Sequence, residues 1–492
     1  MKMIRIVSVC VALLLFPIYN INAQGWSAEF NASLRGAYGT ADYMPFWART
    51  GEEGTLPVTS SGLLRAGARL GYHAANGLFF EAEGDLAGAL KANSPYDPGR
   101  KSAFVNRLYV SGGWKMIRLD VGIAPKTREL GDLSITGGDV IYTGNARNLP
   151  GVNLWSDWIY FEKGHWFGLK ANLAHYQMTD NRYVKNALLH NKSLSFKVAL
   201  GRKVDFIGGF EHWAQWGGES PKYGPQPSSF RDYMKIFLGR SGGSDATTSD
   251  QINVLGNHLG REYLRVIWRA NPFTMTFQYD KLFEDGSGMR LQNFPDGVWS
   301  LAFAMKDRDA IVTDVIYELV TTTWQSGPAH DRPATEEEKA NQDPSDPFYG
   351  KIVLRGGDNY FNNGEYASGW TFHGRTIGLP LIIPNAPDEN GTTKGVICNR
   401  VRAHHLALRG NIYLPYTLKS TFSKNYGRYK QGESSMFAST PWQLSLALEL
   451  GFDRFLKDLP ISLNAGLYGD VGKVYQNSFG VTLRIGFSKL FN

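Results

Sequence analysis

The stretch Gln443–Leu450, QLSLALEL, places leucine at 444, 446, 448 and 450 and sets Gln443, Ser445 and Glu449 between them. Side chains that alternate with period two occupy opposite faces of a β-strand, whereas an amphipathic helix needs a period near 3.6. One face of this strand therefore suits hydrocarbon and the other suits water. The pattern recurs nearby. Ile461, Leu463, Ala465 and Leu467 oppose Ser462, Asn464 and Tyr468, and Val481, Leu483, Ile485 and Phe487 oppose Thr482, Arg484 and Ser488. It also occurs far upstream, where Ile117, Leu119, Val121 and Ile123 oppose Arg118 and Asp120, and where Phe167, Leu169, Ala171 and Leu173 oppose Lys170 and Asn172. Leu406, Leu408 and Ile412 against Arg409 and Asn411 continue the series.

A soluble β-sandwich also alternates, so the polar face has to discriminate. That face carries both signs of charge: Glu81, Glu83, Asp85, Arg118, Asp120, Lys170, Asp280, Arg409, Glu449 and Arg484. Mixed charge suits the water-filled interior of a wide barrel better than a packed sandwich core. Residues 1–23 read as an export signal, with Lys2 and Arg5 ahead of an apolar run from Ile6 to Ile18 and a small residue, Ala23, at the cut. No later stretch approaches the roughly 18 consecutive apolar residues of a spanning helix. Aromatic residues at 13% and 55 glycines, together with a negative mean hydropathy, suit girdled barrel strands. The expectation is an all-β fold: a transmembrane antiparallel β-barrel of roughly sixteen to eighteen strands in the outer membrane of a Gram-negative bacterium. Residues 24–60 are expected to form an N-terminal strand and a plug or capping segment. Residues 61–492 are expected to form the barrel, with long loops at 125–153, 216–260, 324–350 and 354–400.

Without the signal's two cations the formal charge falls from +7 to +5, a mild excess compatible with an anionic ligand or lipid surface. The mature chain keeps one cysteine, Cys398, so no internal disulfide is expected. The chain shows no phosphate-cradling loop, no zinc-type Cys/His spacing and no G-x-S-x-G elbow in a credible context, so no catalytic residue, cofactor or metal site is expected. His404 and His405 next to Arg400 and Arg402 are the one hydrolase-like candidate.

Sugar binding fits the residue types in the loops better. Sugars present apolar faces that stack on aromatic rings and hydroxyls that need amide or guanidinium partners. The loop Tyr360–Leu381, YFNNGEYASGWTFHGRTIGLPL, has neither period; it supplies Trp370, Tyr366, Arg375, His373 and Asn363. Gly144–Trp155, GNARNLPGVNLW, adds Asn145 and Arg147, and Thr421–Lys430, TFSKNYGRYK, adds Lys424 and Arg428. For each residue the competing reading is a girdle ring or a lumen ion pair that holds a plug.

Five stretches together resemble the Wzi family of outer-membrane capsule assembly proteins, in its Bacteroidetes-type form. They are SITGGDVIYTGNARNLP (Ser134–Pro150), FEHWAQWGG (Phe210–Gly218), KLFEDGSGMRLQNFPDGVW (Lys281–Trp299), the Tyr360–Leu381 loop and TFSKNYGRY. Phe372-His373, where a Tyr-Lys pair is expected, and Asn148-Leu149 depart from the family wording. The resemblance implies an eighteen-stranded barrel with an N-terminal helical plug element near the periplasmic end, and a non-enzymatic, lectin-like role in anchoring or assembling capsular or other surface polysaccharide. The partners expected are that polymer and outer-membrane lipids including lipopolysaccharide, with no nucleic acid, for a protein acting as a monomer. The alternative is an outer-membrane diffusion channel or transporter with a charged lumen.

Overall fold

The computed structural model describes residues 25–90, 102–243, 246–247, 254–329, 331–346, 348–354, 357–428, 437, 439–456 and 459–491. The export-signal reading lies outside these residues. Eighteen antiparallel strands make one sheet: β1 Trp26–Gly39, β2 Ser61–His73, β3 Leu78–Ala89, β4 Ala103–Trp114, β5 Ile117–Ile123, β6 Pro150–Ser156, β7 Phe167–Gln177, β8 Leu188–Leu200 and β9 Val204–Trp216, followed by β10 Asn257–Arg269, β11 Phe273–Phe283, β12 Gly297–Met305, β13 Asp314–Thr321, β14 Val401–Ile412, β15 Leu414–Asn425, β16 Trp442–Gly451, β17 Ile461–Gly472 and β18 Ser478–Phe491. A short segment, Ile159–Tyr160, continues β6 along β7 after a break. The sheet closes when β1 pairs with β18, from Ala28↔Phe491 to Gly39↔Gly480, which leaves no free edge.

Short turns join β2 to β3, β4 to β5, β8 to β9 and β14 to β15 at the end where β1 starts and β18 stops. The long connections 40–60, 124–149, 217–256 and 322–400 lie at the other end. In outer-membrane barrels the short turns are periplasmic and the long loops extracellular. The expected loops 324–350 and 354–400 are a single connection from β13 to β14, because the small hairpin within it, Arg332–Pro333 with Lys351–Ile352, is two residues per strand and does not join the wall.

The alternation sets the faces as the sequence predicts. Leu406, Leu446, Leu467 and Leu483 point outward, while Gln443, Ser445, Asp470 and Thr482 are buried inside. Trp114, Trp166 and Trp268 ring the outer surface at the short-turn end, and Tyr38, Trp442 and Phe479 ring it at the loop end, as interfacial girdles do. Inward charges are paired across strands: Arg69 with Glu81 at 2.7 Å, Arg107 with Glu83 at 3.1 Å, and Arg65 with Asp85. Low-dielectric walls make an unpaired charge costly, so neighbouring strands carry opposite signs.

The expected helical plug needs correction. Residues 40–60 contain one four-residue turn, α1 Phe46–Arg49, and it lies at the long-loop end. Pro45 opens the turn, and Gly51 and Gly54, both at positive φ, keep the chain from continuing as helix. The turn is nevertheless seated in the lumen. Phe46 N donates to Asp470 Oδ2 at 2.9 Å, Trp47 Nε1 donates to Thr421 Oγ1 at 3.1 Å, and the Trp47 ring lies 5.0 Å from that of His405.

Candidate functional site

Three extracellular connections fold inward and pack into one apolar plug. Trp47 and Leu56 come from the first, Ile141, Tyr142 and Leu149 from the β5–β6 connection, and Tyr360, Phe361, Trp370, Phe372 and Leu379 from the β13–β14 connection. The wall meets them with Trp213, Leu259, Leu282, Val298, Val320 and Ala403 at the loop ends of the strands. Fully burying one large apolar side chain contributes roughly 1.5–3 kcal/mol. A plug with this many buried rings is therefore a second core inside the barrel.

Polar anchors fix the plug's position. Arg375 donates from Nη1 to Arg49 O at 2.9 Å and from Nη2 to Leu56 O at 2.7 Å, tying the third connection to the first. Asn145 Nδ2 donates to Thr376 O at 2.9 Å, tying the second to the third. Gln215 Nε2 donates to Gly369 O at 2.9 Å from the wall, and Arg182 reaches the Gly369 and Thr371 carbonyls at 3.3 Å each. Lower down, Glu318 accepts from Ser134 Oγ and Ile135 N, both at 2.7 Å, and from Ser300 Oγ at 2.9 Å. Sequence reading missed Arg182, Gln215 and Glu318; the available signal was a charged or amide residue at an inward strand position or beside a strand end.

The candidate sugar-binding residues divide by location. Trp370, Tyr366, Arg375 and Asn145 are brought together, but as buried plug residues; Tyr366 donates its hydroxyl to Gly217 O at 3.2 Å. Trp370 is 0% exposed, so its ring offers no platform while the plug is seated. Asn363 Oδ1 accepts from Glu365 N and Tyr366 N at 2.8 and 2.9 Å, which makes it a turn residue. His373 is exposed at the tip of the hairpin Thr371–Phe372 with Arg375–Thr376; His373 (φ 49°) and Gly374 (φ 74°) form its two-residue turn, the left-handed pair that suits right-twisted strands. The Arg147 guanidinium lies 3.7 Å from the centroid of the Phe104 ring. Lys424 is exposed near the loop end of β15 on the same side of the strand as Phe422, hence outside the barrel, and Arg428 is half-buried just beyond that strand. The nine residues therefore do not form one surface.

His404 points outward and shares a 2.7 Å hydrogen bond with Tyr317. His405 points inward, with one ring nitrogen 2.8 Å from Thr421 Oγ1 and the other 2.8 Å from Leu133 O. Both nitrogens of His405 are thus engaged, and the hydrolase-like pairing with a serine or carboxylate is not formed around it.

Beneath the plug, against β5 to β10, lies a cavity of about 170 Å³. Its ceiling is aromatic: Tyr142 meets Trp213 edge-on at 5.4 Å, and Tyr176 stacks on Trp213 at 5.8 Å. Trp155, Trp158 and Tyr263 line the walls, with Trp155 Nε1 donating to Asp120 Oδ2 at 2.6 Å. The charges are balanced in place. Arg261 contacts Glu211 at 2.7 Å and Asp280 at 2.9 Å, and Glu129 contacts Lys170 at 2.9 Å and Arg265 at 2.8 Å. Burial works against ionisation of Glu129, but the Lys170 and Arg265 charges outweigh it and hold the carboxyl down at about 2. Asn153 Oδ1 is buried with no hydrogen-bond partner among the described residues. Rings, amides and paired ions around a space this size can hold a polar ring with two apolar faces.

The closed, girdled eighteen-strand barrel defines an outer-membrane protein of a Gram-negative bacterium. No protein-family model matches the chain, and no curated protein matches it. Among solved structures it is similar to Wzi of Escherichia coli, an outer membrane protein involved in group 1 capsule assembly and a carbohydrate-binding β-barrel: 12% identity, TM-score 0.56, covering 93% of this chain and 84% of that one. It also matches OccAB2 of Acinetobacter baumannii (10% identity, TM-score 0.47, 95% and 98% covered) and OccK3 of Pseudomonas aeruginosa (10%, 0.45, 94% and 96%). At these identities the likeness concerns the fold.

Proposed function

We propose that this barrel binds an exported surface polysaccharide without chemical turnover and helps to hold it at the outer membrane. The observation that carries the reading is an apolar plug packed into the loop end of the lumen, with an aromatic- and amide-lined cavity beneath it. Such an arrangement favours binding over passage, and so favours this reading over a diffusion channel. In the cavity, Trp155 and Trp158 are the stacking platforms, and Asn153 together with the Asp120 and Glu211 carboxylates supplies partners for hydroxyls. The exposed His373 and Lys424 and the half-buried Arg428 are the candidate contacts at the loop end, while Trp370, Tyr366, Arg375, Asn145, Asn363 and Arg147 act by shaping the plug. The fold likeness to a carbohydrate-binding barrel and the five family-like stretches support a place in the same family of capsule assembly proteins. Many weak contacts along one polymer suffice for retention.

Binding of the purified, detergent-folded barrel to surface polysaccharide extracted from the source cell tests this. Saturable binding is expected, weakened about tenfold by Trp155→Ala. Absence of saturable binding at both low and high salt would overturn the proposal.

A further inference from the structure

The β9–β10 connection carries a nine-residue helix, α2 Phe230–Leu238, on the outside of the barrel. Ser229 caps it reciprocally with Asp232, and Gly239 (φ 63°) closes its C-terminus. On β7, β8 and β9 the inward residues include Tyr176, Asn191, Trp213 and Gln215, so the intervening His175, His190, His212 and Trp216 face outward. Outward residues near the loop end should meet membrane or water, yet His190 is completely buried. The helix covers it. Phe237 and Tyr233 each lie 5.5 Å from the His190 ring, Tyr233 lies 5.7 Å from Trp216 and shares a 3.1 Å hydrogen bond with His175, and Lys192 donates to Phe237 O.

Only part of the helix's apolar arc is used in this way. Phe230, Met234 and Leu238, spaced four apart, form a second stripe that remains 77%, 38% and 53% exposed. Arg231 on the helix and Arg240 just after it are also exposed. The level at which this stripe lies decides what it meets. On β8 the lipid-facing residues Leu200, Phe196 and Leu194 lead up to His190. From Leu200 to His190, a rise of about 3.3 Å per residue on a strand tilted by about 40° spans roughly 25 Å along the barrel axis. That is the height of the apolar band of an outer-membrane barrel, so α2, packed over His190 and Lys192, lies at the level of its outer edge.

We propose that α2 is a docking platform for an outer-leaflet lipid whose headgroup carries phosphate. Phe230, Met234 and Leu238 seat in the acyl–headgroup boundary, and Arg231 and Arg240 contact the phosphate. Amphipathic helices with cations beside a large apolar face bind membranes in this way. In this sector the helix takes the place that Trp442 and Phe479 occupy elsewhere in the girdle.

The test uses the folded barrel carrying Cys398→Ala, with single cysteines at 230, 234 or 238 bearing an environment-sensitive fluorophore. Phosphatidylcholine nanodiscs are compared with and without lipid A, and a gel-shift assay confirms the fold of each variant. The expected result is blue-shifted emission at all three positions and quenching by lipids brominated near the carbonyl. Lipid A should deepen the shift, and Arg231→Gln and Arg240→Gln should each weaken the response to lipid A about fivefold. Water-like emission quenched by iodide would overturn the proposal. So would a blue shift that depends on having two barrels in one disc, which would assign the stripe to a second copy of the chain.

Discussion

Removing the Arg375 guanidinium should unseat the plug without unfolding the barrel. Arg375 donates to two carbonyls, Arg49 O at 2.9 Å and Leu56 O at 2.7 Å, and is itself buried. A hydrogen bond from a charged donor contributes about 1.5–3 kcal/mol, and an orphaned buried carbonyl adds a penalty. Two such bonds sum to about 3–6 kcal/mol, and water entering the vacated space recovers part of it. A net loss of about 3 kcal/mol corresponds to roughly a hundredfold rise in plug opening. Hydrogen exchange in Arg375→Ala should accelerate by that order in residues 44–58 and 370–382, while amides in β16 to β18 keep their protection. Arg375→Lys should fall between the two, because one ammonium cannot reproduce the two-pronged contact. Unchanged exchange in residues 44–58 would refute the view that Arg375 holds the two connections together.

Other expectations follow from the same geometry. Burial and the neighbouring Asp285 charge push the Asp358 carboxyl, in the β13–β14 connection, up to about 7. The protonated form is therefore favoured in the fold, and its stabilisation is present below the ordinary carboxylate range and lost as pH rises through about 7. Limited proteolysis of that connection should thus quicken between pH 5 and pH 8, and Asp358→Asn should flatten the dependence. Glu318→Ala strips the acceptor from Ser134, Ile135 N and Ser300 and should lower the unfolding free energy by about 2–4 kcal/mol, read from denaturant midpoints, with Glu318→Gln closer to wild type. Leu446→Arg places a charge on the lipid face and should cost about 2–4 kcal/mol in folding titrations into vesicles, whereas Ser445→Thr on the lumen face should cost far less.

The wall was legible because a strand between lipid and a polar lumen repeats every two residues. Leu444–Leu450 and Val481–Phe487 therefore announced both their strands and their faces. The plug was less legible, since a loop folded into a barrel has no period to separate buried from exposed rings. Trp370 reads from sequence as a sugar platform or as core, and its burial in the plug, with its backbone N–H donating to Phe361 O, could not be foreseen from spacing. The setting of Lys424 was hidden for a different reason: period two puts it on the same side as Phe422, but the loop-like wording TFSKNYGRYK concealed that β15 runs to Asn425. In β9, VDFIGGFEHWAQW carries bulky residues on both faces near the loop end. Both faces are buried there, one by the plug and the other by α2, so alternation of hydropathy vanishes where the candidate cavity and the outer helix meet the same strand. The helix turn α1 was too short for any periodic signal.

The most direct test of the central claim is conductance of the purified barrel in a planar bilayer, recorded before and after addition of the cell's own surface polysaccharide. A closed, silent pore whose occasional openings become rarer as polymer binds is the predicted result. A steady, open conductance that polymer leaves unchanged would contradict the account and identify the protein as a channel.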